Sequence, residues 1–77
     1  MQSGYALCTP DSLKVLCLTK NPTKIELLSV EKTANLNRAL CLPDLTSIKN
    51  IYERFKERDL VPDLDIVNIA KLYKSGY

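Results

Sequence analysis

The chain has 77 residues, a net charge of +2, 45% hydrophobic and 26% charged residues. That is the size and make-up of one small globular domain, and it excludes both a disordered tail and a strongly basic polyanion binder. Histidine is absent and the glycines, Gly4 and Gly76, lie near the two ends, which excludes the commonest general base and any glycine-rich phosphate loop.

Cys8, Cys17 and Cys41 are odd in number and lack Cys-x-x-Cys spacing. A closed disulfide framework is therefore ruled out, and a zinc site within one chain is short of ligands. The thiols read as small buried hydrophobes in a reducing compartment. Met1 to Tyr5 carries no basic residue ahead of an apolar run, and the longest apolar stretch, Val15 to Leu18, is far below the ~20 residues of a membrane span. A soluble, cytoplasmic chain without membrane contact is expected.

Four prolines, at 10, 22, 43 and 62, set the expected punctuation. Thr9-Pro10-Asp11-Ser12 offers a capping hydroxyl, a first-turn proline and an acidic residue for the positive end of a helix. Leu13, Leu16 and Cys17 follow at helical spacing, and Asn21-Pro22 closes that segment. Thr23-Lys24-Ile25-Glu26 fits a capping box, with helix formers behind it. A β-hairpin competes over the same stretch: Leu13 to Thr19 and Lys24 to Val30 are apolar-rich, and Lys20-Asn21-Pro22-Thr23 would make the turn.

After Pro43-Asp44, Leu45, Ile48, Ile51, Tyr52 and Phe55 form the stripe of an amphipathic helix, with Lys49, Glu53, Arg54, Lys56, Glu57 and Arg58 on its other surfaces. Past Pro62, Leu64, Ile66, Val67, Ile69, Ala70, Leu72 and Tyr73 surround a narrow polar strip of Asp65, Asn68, Lys71 and Ser75. Read as a helix, that segment needs cover on more than one side, which points to a central position or to a partner chain.

Ala6-Leu7-Cys8-Thr9-Pro10-Asp11 and Ala39-Leu40-Cys41-Leu42-Pro43-Asp44 nearly repeat, and Leu60-Val61-Pro62-Asp63 echoes their end. The similarity fades quickly, with Pro22 standing where the second unit has Phe55. It marks joints between segments and is no internal duplication. Asp59, Asp63 and Asp65 cluster around Val61-Pro62, but two of the three are explained as helix-start residues, and Cys41 lacks a neighbouring base, so no catalytic, metal or cofactor residue is assigned.

These observations predict a mainly α fold, one domain over 1–77, built as a compact bundle of about four short helices at 10–20, 23–41, 43–58 and 62–74. The alternative is an N-terminal β-hairpin followed by three helices. By elimination, the expected function is that of a non-enzymatic interaction or regulatory protein acting through helix-mediated contacts as a homodimer. Its interface would be Ile66, Ile69, Tyr73, Val15 and Leu18. The alternative is a small DNA- or RNA-binding regulator using Arg54 and Arg58 of the 43–58 helix with Lys20 and Lys24.

Overall fold

The computed structural model describes residues 3–18 and 25–73. Strands β1 (Tyr5–Cys8), β2 (Lys14–Leu18) and β3 (Ile25–Ser29) are followed by a short helix α1 (Thr33–Asn37) and a long one, α2 (Leu45–Glu57). Strand β4 (Asp65–Asn68) and a 3-10 turn (Ile69–Lys71) complete the order. The strands form a four-stranded antiparallel sheet in the order β3-β2-β1-β4. The fold is α+β, which corrects the predicted all-α bundle of about four helices.

The two central strands explain the error. Ala6, Leu7, Cys8, Val15, Leu16 and Cys17 are all buried, because the sheet is covered on both faces. Strands in that position read as unbroken apolar runs without a period of two. Ala6, Val15 and Cys17 pack on one face with Val30, Leu36, Ala39 and Ile69. Leu7 and Leu16 pack on the other with Ile48, Val61 and Leu64.

In place of the helix expected at 10–20, residues 10–18 hold a tight turn and β2, and positions 19 and 20 lie outside the described residues. Thr9 N–H donates to the Lys14 carbonyl (2.9 Å) and Lys14 N–H to Thr9 Oγ1 (3.1 Å). Asp11 accepts from Leu13 N–H (3.0 Å), and Ser12 takes the left-handed conformation at φ 61°. Residues 23–41 are likewise not one helix. Glu26, expected in a capping box, lies in β3, and Thr23 is outside the described residues. The pairings Val15↔Leu28, Leu16↔Leu27 and Cys17↔Glu26 join the strands that the hairpin alternative proposed, but the three helices of that alternative do not follow.

The predicted 43–58 helix corresponds to α2. Asp44 caps it, its carboxylate accepting from Ser47 N–H (3.1 Å), so Pro43 precedes the cap and is not the first helical residue. Residues 62–73 form no α-helix, and position 74 lies outside the described residues. Ile66 and Val67 lie in β4 opposite Leu7 and Ala6, so the polar spacing of Asp65 and Asn68 marks the two ends of a short strand. The β-branched pair Ile66-Val67 favours that outcome.

A wedge fixes the middle of the sheet. β1 and β2 pair at Cys8↔Val15 beside their turn, and residues 39–42 lie between their far ends. Leu42 exchanges both backbone bonds with Tyr5 (2.8 and 3.0 Å), and Leu40 N–H donates to the Leu16 carbonyl (3.0 Å). Gly4 makes this approach possible. It sits at φ +104°, and a Cβ there would lie 2.5 Å from the Leu42 carbonyl oxygen. The recurring Ala-Leu-Cys thus has a structural basis. Ala6 and Ala39 enter the first cluster, and Leu7 and Leu40 pack with the second.

Candidate functional site

The predicted interface residues separate once folded. Val15 and Ile69 are 0% exposed. Ile66 is half-buried against the Leu7–Leu16 cluster, and Tyr73 half-buried against the Ala6–Val15 cluster. Tyr73 donates its hydroxyl to Asn37 Oδ1. Leu18 alone of the five is exposed, at 39%.

Of the predicted basic set, Arg54 lies on α2 and Arg58 is its C-cap, both exposed, while Lys20 and Lys24 fall outside the described residues. Glu53 and Glu57 share the exposed surface of α2 with Arg54, giving a surface of mixed sign.

Several nucleophilic and acidic groups have structural surroundings that shift or engage them. Burial pushes all three thiols up from the ordinary cysteine pKa, and the charge of Asp65 adds to the effect at Cys8. Cys17 Sγ–H donates to the Asn35 carbonyl (3.3 Å). Asp63 pairs with Lys56, which holds its carboxyl below the usual range; Lys56 also lies 5.8 Å from the Tyr52 ring centroid. Asp11 is lowered by the Thr9 hydroxyl and Leu13 N–H. Among the described residues no group of three or more His, Cys, Asp or Glu is placed to hold a metal ion, and no helix is long and apolar enough to cross a membrane.

The surface that stands out is the outer part of the β2–β3 hairpin. Helix α2 packs mainly over β1 and β4, so Ile25 and Leu27 of β3 remain only half-buried beside exposed Leu18. The pairs Leu18↔Ile25 and Leu16↔Leu27 fall on the same face of the sheet as α2. Sequence reasoning singled out Leu18 but neither Ile25 nor Leu27. The signal available was the hairpin reading of 24–30, in which both fall on one face by alternation.

The backbone at this edge follows from the ladder. Val30 N–H donates to the Leu13 carbonyl (3.0 Å). Alternation in an antiparallel pair then turns the N–H and C=O groups of Leu28 and Glu26 toward β2, and those of Ser29, Leu27 and Ile25 outward. Asn35 Nδ2 donates to the Ser29 carbonyl (2.9 Å). For Leu27 no backbone partner on the outward side occurs among the described residues.

At the β4 edge the same alternation turns the backbone groups of Ile66 outward, also without a partner among the described residues. Leu64 N–H, on its outward side, donates to the Tyr52 hydroxyl (2.8 Å), and Asn68 Oδ1 turns back to Ala70 N–H (3.0 Å). Asp65 and Asn68 are exposed at its two ends.

Comparison with protein-family models, with curated proteins and with solved structures finds no match to this chain.

Proposed function

We propose that this protein is a non-enzymatic interaction module that self-associates through the outer half of its sheet. The observation that carries the reading is the offset of α2. It lies over β1 and β4 and leaves Leu18, Ile25 and Leu27 as adjoining, incompletely buried side chains beside a strand edge. Apolar side chains grouped on one surface are the usual mark of a docking region. The apolar residues exposed elsewhere, Leu13, Leu45 and Leu60, sit in a turn, at a helix start and after a helix end, and need no such explanation.

In support of a non-enzymatic reading, Asp44 caps α2, Asp63 pairs with Lys56, and burial pushes the three thiols up from the ordinary cysteine range. The contact surface differs from the helix-mediated one read from the sequence, because residues 62–73 supply no α-helix.

Sedimentation across a wide concentration range tests the proposal. The chain is expected to pass from monomer to dimer as concentration rises, and Leu18→Ser, at a position already exposed, should shift that transition upward by about tenfold. A monomer at millimolar concentration contradicts the proposal. In the same samples, a duplex-binding activity that falls steeply with salt would favour the nucleic-acid alternative instead.

A further inference from the structure

We draw no further inference here: the strongest candidate, the partly covered apolar surface of Leu18, Ile25 and Leu27 beside the β3 edge, belongs to the site already described, and nothing in the structure shows what covers it.

Discussion

The two halves of the sheet are finished to different degrees. Over β1 and β4, α2 places Ile48 at 0% exposure against Leu7, Val61 and Leu64, and Tyr52 takes up the Leu64 N–H. At the outer ends of β2 and β3 the covering is uneven. Val15 and Cys17 are sealed beneath Leu36 and Ala39, while Leu18, Ile25 and Leu27 on the opposite face are only partly covered. Among the described residues there is one long helix, and its place over β1 and β4 leaves Leu18, Ile25 and Leu27 less covered than the other half of the same face.

The largest effect should come from removing the contact that closes the finished half. Ile48→Ala deletes a fully buried side chain and is expected to cost about 2–5 kcal/mol in denaturant unfolding. Gly4→Ala attacks the wedge shared by both halves. The added Cβ meets the Leu42 carbonyl at a positive φ, and a cost of order 1–3 kcal/mol is expected, read as a lower thermal midpoint. Tyr52→Phe leaves the packing of α2 and opens the Leu64 N–H, for a loss of about 1 kcal/mol and faster amide exchange confined to residues near β4.

The smallest effects are those of pH. Burial raises Cys8, Cys17 and Cys41, so the stability linked to their protonated form is fully present below the ordinary thiol pKa of about 8.5. It is lost as pH rises through the higher folded values. Asp11 and Asp63 are lowered, so their contribution is present above about pH 4 and falls away as pH drops through the folded values. Unfolding midpoints measured across pH should therefore decline at both ends, and Cys17→Ala should flatten the alkaline decline.

What the sequence made legible depended on how each element meets solvent. α2 could be read because one face packs on the sheet and the other carries Lys49, Glu53, Arg54 and Glu57; its period of 3.6 survives in the residues. β1 and β2 could not, because burial on both faces erases alternation. The Pro-Asp signal was real but incomplete. Asp44 and Asp11 each accept a nearby backbone N–H, from Ser47 in one case and Leu13 in the other. The first opens a helix and the second a turn. The difference lies downstream, where an amphipathic, mostly polar run follows Asp44 and a strand-forming Val15-Leu16-Cys17-Leu18 follows Asp11. Of the candidate site, Leu18 was legible as surplus apolar surface. Ile25 and Leu27 depended on knowing that β3 is an edge, which pairing alone reveals.

The contrast between the halves can be read residue by residue from amide exchange in dilute and concentrated solution. The account predicts that amides around Leu18, Ile25 and Leu27 exchange more slowly on concentration, while Leu64 N–H, already bonded to Tyr52, keeps the same rate. Equal behaviour of the two edges, or protection at Leu27 that does not change with concentration, would contradict it.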